Sequence, residues 1–255
     1  MTHPTRAALA AACASALVIP SMAGAVDTTV RVEGVDATIV PATTVDLPRS
    51  GERTVADDLD TDAVTVPEAS ATSQLDRATG ALGVPLSFDL FDFGGGPTSF
   101  VTRIGGESAP SDFSRFWRLK IDHVASSVGA DETLLDEGAE VLWSLSAFDE
   151  PELDVAGPTA PVEAGTSFTV TVTSFDNAGV ASPAPGASVT YATSDAITDG
   201  AGRATFVGDG SGPVPVTVRA PGAVRDSTQV CSHPADRPQV CDPAAAPPPV
   251  APART

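Results

Sequence analysis

Alternation of apolar and polar residues sets the first expectation. In Thr28–Gly34, TTVRVEG, Val30 and Val32 fall on one face and Arg31 and Glu33 on the other, as in a half-buried strand. The same period of two recurs in FWRLKID, where Trp117, Leu119 and Ile121 share one side and Phe116, Arg118, Lys120 and Asp122 the other. A third such stretch aligns Val141, Trp143 and Leu145. Between the first two, ATSQLDRATGALG changes to helical spacing. Leu75, Ala78, Thr79 and Leu82 align, Thr72 can cap the start, and Gly83 suits the position just past the end. Gly80 inside the segment weakens this helix. The segment LSFDLFDFGGGPTSFVTRIGG reads as two short strands about a glycine-rich turn. Phe88, Leu90 and Asp92 alternate there against Asp89, Phe91 and Phe93, so both faces of the first strand carry apolar surface.

From Pro151 onward the pattern is strand only. TSFTVTVTSF places Phe168, Val170 and Val172 inward and Ser167, Thr169, Thr171 and Thr173 outward. ASVTYAT, GRATFV, VPVTVRA and STQVC follow, separated by Gly, Pro, Asp and Ser at sandwich-like intervals, with a tight turn at Asp199–Gly202. No helical segment is expected after Glu150. The pattern predicts an α+β domain over residues 26–150 and an all-β sandwich over 151–232. A short loop and a Pro/Ala-rich tail, too apolar-poor to bury a core, occupy 233–255.

The ends of the chain add where it works. Residues 1–25 combine Arg6, an apolar run from Ala7 to Ile19 and the small triplet Ala23-Gly24-Ala25, the pattern of a signal peptide cleaved after Ala25. That run is too short to span a bilayer, and no later run of 18 or more apolar residues exists. Cys13 lacks the leucine three positions earlier that a lipoprotein would need. The expectation is a secreted chain, free or held to a cell surface by non-covalent contacts. In such a chain Cys231 and Cys241 are expected to pair, which stabilises a loop this short by about 2–3 kcal/mol. The net charge is −19, and −20 once Arg6 is removed, which excludes nucleic acid and anionic lipid surfaces as partners.

No motif names a reaction. Beyond the leader the histidines are His123 and His233, no GxSxG elbow precedes a helix, and the acids are spread along strand faces and loops. A carboxylate-dependent hydrolase is the remaining enzymatic alternative. Asp58, Asp60 and Asp62 alternate like the opening of a calcium loop, but Ala63 and Ala69 stand where Gly and Glu belong. The same acids fit the wet side of an extended segment. The histidines and paired cysteines are too few for zinc, and GGGP and GDGSGP read as hairpin turns because neither precedes a helix or a lysine. No cofactor is expected. Asn177, the sole asparagine, lies outside a glycosylation motif.

VRVEG, SQLDRATG, FVTRIGG, FWRLKIDH and GAEVLW occur in the order seen in the transcobalamin-like C-terminal domain family, which this half of the chain, residues 28–148, resembles. The resemblance implies a β-grasp-like fold. Trp117 matches the family's first Trp, Gly129-Ala130 its "ga" segment, and Gly138 and Trp143 its last turn and strand. Asp122-His123 stands where the family's hairpin has Asn-Gly, and Ala139 replaces a turn Asp. The later part resembles a bacterial immunoglobulin-like module. The resemblance implies a ligand-side hairpin at Asp122 and His123, whereas the alternation itself assigns Trp117, Leu119, Ile121 and Trp143 to the core. In vitamin carriers of the family a helical barrel supplies the other half of a corrinoid clamp, and this sequence contains no such barrel. The expected function is an exported, non-catalytic binding or surface module for an extracellular partner. The alternative is a small-molecule carrier, for instance of a corrinoid.

Overall fold

The structure, a computed structural model, describes residues 24–92, 94 and 96–242. Most of the expected leader and of the Pro/Ala-rich tail therefore lie outside the described residues. The chain opens with β1 (Ala25–Glu33) and β2 (Thr38–Pro48), an antiparallel hairpin, then a small one, β3 (Glu52–Ala56) with β4 (Ala63–Pro67). Helix α1 (Ala71–Leu82) follows, then β5 (Leu86–Asp92), β6 (Pro97–Ile104) and β7 (Glu107–Ser108), which form a three-stranded sheet. β8 (Phe116–Ile121), β9 (Val124–Ala125) and β10 (Glu140–Ser146) complete the first half. The main sheet runs β2-β1-β10-β8-β9, with first and last strands parallel at its centre: Val30 pairs with Val141 and Val32 with Trp143. That placement of the last strand beside the first, with one helix packed across them, is the mixed α+β architecture that the periodicity predicts.

The helix begins two residues earlier than its apolar spacing suggests. Ser70, not Thr72, is the N-cap, its hydroxyl accepting the Ser73 N–H at 3.2 Å. Thr72 lies inside the first turn and donates to Asp131 Oδ1 at 2.6 Å. Gly83 closes the far end in the left-handed region (φ 67°), as expected. Leu75 and Ala78 enter the core beneath the sheet, whereas Leu82 is exposed. Trp117, Leu119 and Trp143 are buried in that core, and Ile121 packs against its edge.

The second half is a two-sheet sandwich. Its strands are β11 (Glu152–Ala156), β12 (Val162–Glu163), β13 (Ser167–Phe175), β14 (Ala181–Pro183), β15 (Ser188–Tyr191), β16 (Ser194–Ile197), β17 (Arg203–Val207), β18 (Gly212–Arg219) and β19 (Asp226–His233). One sheet joins β11, β13, β14 and β17, the other runs β12-β19-β18-β15-β16. Phe168, Val170, Val172, Tyr191, Phe206, Val216 and Val230 meet between them in a separate core. At the Asp199–Gly202 turn the carboxylate accepts the Ala201 and Arg203 N–H groups, both at 2.9 Å. The Cys231–Cys241 disulfide forms. It ties down a single 3₁₀ turn, Pro238–Cys241, a short exception to the all-strand expectation.

The polar faces of β1 and β8 are not wet. The second domain covers them, and charged groups that alternation alone assigns to solvent lie largely buried in the junction, beside a cavity of about 260 Å³ lined by Arg31, His123, Glu152 and Asp226. Glu152, at the start of β11, sits within 3.4 Å of Arg31, 3.2 Å of His123 Nδ1 and 3.7 Å of Lys120. Arg31 also meets Glu33 at 3.2 Å and Asp226 at 3.1 Å, and Arg225 meets Glu33 at 3.2 Å. Lys120 Nζ donates to the carbonyls of Asp176 (3.0 Å) and Phe175 (3.3 Å). Asn177 closes the other end. Its side chain accepts from Arg118 and donates to the Phe148 carbonyl at 2.7 Å, and its own carbonyl accepts the Ala125 N–H at 2.9 Å.

Two outcomes follow from this junction. Replacing Glu152 with Ala removes the one carboxylate that Lys120 pairs with among the described residues, while Arg31 keeps Glu33 and Asp226. The expected loss in denaturant unfolding is about 3–5 kcal/mol, with Glu152→Gln distinctly milder. A loss below about 1 kcal/mol for the alanine variant would contradict the packing described. The second outcome concerns pH. Burial pushes the carboxyls of Glu33, Asp154 and Asp226 above the ordinary carboxylate range, against the pull of Arg31. The folded protein therefore holds these protons more tightly than the unfolded chain, so stability falls as pH rises through and above the range near ~4. Asp199, held low by the Arg203 and Ala201 N–H groups, and Asp112, held low by Ser114, act oppositely and lose their contribution only in stronger acid. The thermal midpoint is expected to rise as pH falls toward the ordinary carboxylate range from above, and Glu33→Gln with Asp226→Asn to flatten that rise. A midpoint that drops steadily over this interval would show the reverse linkage.

Candidate functional site

The β5–β6 hairpin has two apolar faces. Its register pairs Phe88 with Val101, Asp89 with Phe100 and Phe91 with Thr98. Leu86, Phe88, Val101 and Ile104 turn inward to the first core. The alternate positions, Asp89, Phe91, Thr98, Phe100 and Thr102, form the floor of an open cleft of about 690 Å³. Phe91 and Phe100 meet edge to face with ring centroids 6.2 Å apart. That volume lies within the range of about 300–1,000 Å³ typical of small-molecule sites.

Two loop segments wall the cleft. Phe113 is 65% exposed and takes a positive φ of 53°, a strained conformation for a bulky residue. Its N–H donates to the Pro110 carbonyl at 3.0 Å, and the Asp112 carboxylate braces the turn through the Ser114 N–H and hydroxyl. The other wall, Gly129–Glu132, is pinned by the buried Asp131. That carboxylate accepts the Ser99 N–H and hydroxyl, each at 2.7 Å, besides the Thr72 hydroxyl. Asp89 and Glu132 stand at the rim, exposed and without an ion-pair or hydrogen-bond partner among the described residues. A smaller cavity of about 210 Å³ adjoins through Ser99, Phe100 and Gly129. Trp117 and Trp143 line it, both buried, and neither indole N–H has a hydrogen-bond acceptor among the described residues.

The residues singled out by sequence lie elsewhere. Asp122 and His123 both have positive φ (47° and 70°), the pairing that a two-residue hairpin otherwise draws from Asn-Gly. Asp122 offsets that strain through the Glu140 backbone, donating its N–H to the carbonyl at 2.8 Å and accepting the N–H at 2.9 Å. His123 stacks flat on Phe175 of the second domain, centroids 3.7 Å apart and planes 5° from parallel. The altered hairpin therefore faces the domain junction. Asp58 accepts the Leu86 N–H at 2.8 Å, and Asp60 accepts the N–H groups of Thr61 and Asp62, so two of the three alternating acids close a loop. Among the described residues no group of three or more His, Cys, Asp or Glu side chains is arranged to hold a metal ion. Among the described residues the cleft is lined by the hydroxyl-bearing Thr98, Ser99, Thr102 and Ser111, and the Ser99 hydroxyl donates to Asp131. Its signal in the sequence is the double apolar alternation of Leu86–Phe93.

The comparisons concern the same half of the chain. Residues 87–147, from this hairpin to the last strand of the main sheet, match the family described as "Domain of unknown function (DUF4430)". No curated protein matches the chain. Among solved structures it is similar to a "putative metal binding protein" from Ruminococcus gnavus ATCC 29149, at 16% identity and a TM-score of 0.31, over 48% of this chain and 97% of that one.

Proposed function

We propose that the protein is an exported, non-catalytic binding module whose first domain holds a ligand in the cleft on the β5–β6 hairpin, with the immunoglobulin-like domain as its fixed support. The observation that carries this reading is the cleft itself: an aromatic floor between two braced walls. The leader-like first 25 residues support export, and the order of short motifs shared with transcobalamin-like domains supports binding over catalysis. The turn that the family resemblance assigns to a ligand has its imidazole face covered by Phe175, which moves the candidate site to the hairpin. No helix among the described residues is long and apolar enough to cross a membrane.

A neutral hydrophobic dye such as Nile red tests the site without presuming the ligand's charge. Saturable binding at one site is expected, weakened at least about tenfold by Phe100→Ala and by Phe113→Ser. Val207→Ser, on an exposed strand of the second domain, is expected to change nothing. Binding that ignores both phenylalanines, or reproducible ester or glycan hydrolysis by the purified chain, would overturn the reading.

A further inference from the structure

We infer that the cleft selects an organic cation with an apolar body, an alkyl- or arylammonium compound; the inference rests on the proposed reading of the cleft as the ligand site. The floor carries Phe91 and Phe100, and Phe113 projects from the wall. Aromatic faces attract a desolvated ammonium through their quadrupole, and they do so best for cations too weakly hydrated to prefer water. Asp89 lies opposite Phe100 in the strand register and one inward-facing residue before Phe91, so a carboxylate is built into the same face as the rings. Glu132 supplies a second from the facing loop.

The charge pattern is one-sided. Elsewhere the acids of the buried junction each have an Arg, Lys or His within reach, yet among the described residues the cleft is lined by two carboxylates and no basic side chain. An anionic ligand would meet repulsion there, with only neutral hydroxyls to offset it. A neutral ligand would gain from the rings and leave the carboxylates unused. A cation with an apolar body satisfies both sets of groups. The net charge of −19 also raises the local concentration of cations and speeds their approach. The remaining polar groups at the cleft, hydroxyls of threonine and serine, discriminate weakly by charge and leave the decision to Asp89 and Glu132.

The test is calorimetric titration of the full chain with benzyltrimethylammonium and with 3-phenyl-1-propanol, a neutral probe of similar size. The cation is expected to bind at least about tenfold more tightly, and to weaken as salt is raised. Asp89→Asn combined with Glu132→Gln is expected to remove most of that preference, weakening the cation far more than the alcohol. Both carboxylates are exposed, so the variant is expected to keep the parent's circular dichroism and thermal midpoint. Equal affinity for the two probes, insensitive to the double substitution, would refute charge selection and leave the cleft a ligand site. Failure of both probes to bind at millimolar concentration would overturn the cleft reading as well.

Discussion

Arg31, Lys120 and His123 converge on the single carboxylate of Glu152 at a place from which water is largely excluded. Moving the charges of Arg31, Lys120 and Glu152 out of water costs several kcal/mol, and attraction at low dielectric offsets that cost only while every partner is in position. Such a contact adds little net stability over an apolar one. What it does supply is an all-or-none geometry. If the second domain slid by one residue along the sheet, Glu152 would lose its partners and Lys120 its two backbone acceptors. The hydrogen bonds of Asn177 and the stack of His123 on Phe175 hold the same arrangement at a second point.

That docking decides which surfaces remain available. One face of the main sheet is covered by α1 and the other by the sandwich, so the central strands have no free face to offer. The β5–β6–β7 sheet lies beside this stack, and its outer side escapes both covers. The aromatic cleft therefore sits on the part of the first domain that neither core claims. Asp131 connects it to the rest, since one buried carboxylate fixes the loop wall to β6 and to α1 at once.

The core was legible in the sequence because a period of two marks one face of each strand unambiguously. Trp117, Trp143, Val30 and Val32 follow directly from it. The opposite faces were not legible, because Arg31, Glu33, Arg118 and Lys120 look the same whether they meet water or another domain. Two rarities pointed there without explaining why: the chain's only lysine and only asparagine meet at the junction. The helix start was missed by two residues because Thr72 and Ser70 are both competent caps and local geometry chose between them. The cleft was half visible. The two-faced hairpin announced its floor, whereas its walls come from aperiodic segments that only tertiary packing brings near. The same holds for Asp122-His123, whose partner Phe175 lies in the other domain.

The central claim is that the buried charge junction makes the two domains one cooperative body. Differential scanning calorimetry of the intact chain tests it most directly. The account predicts a single unfolding peak whose calorimetric and van 't Hoff enthalpies agree. Two resolved peaks, or a van 't Hoff enthalpy near half the calorimetric value, would show that the domains unfold independently and would contradict it.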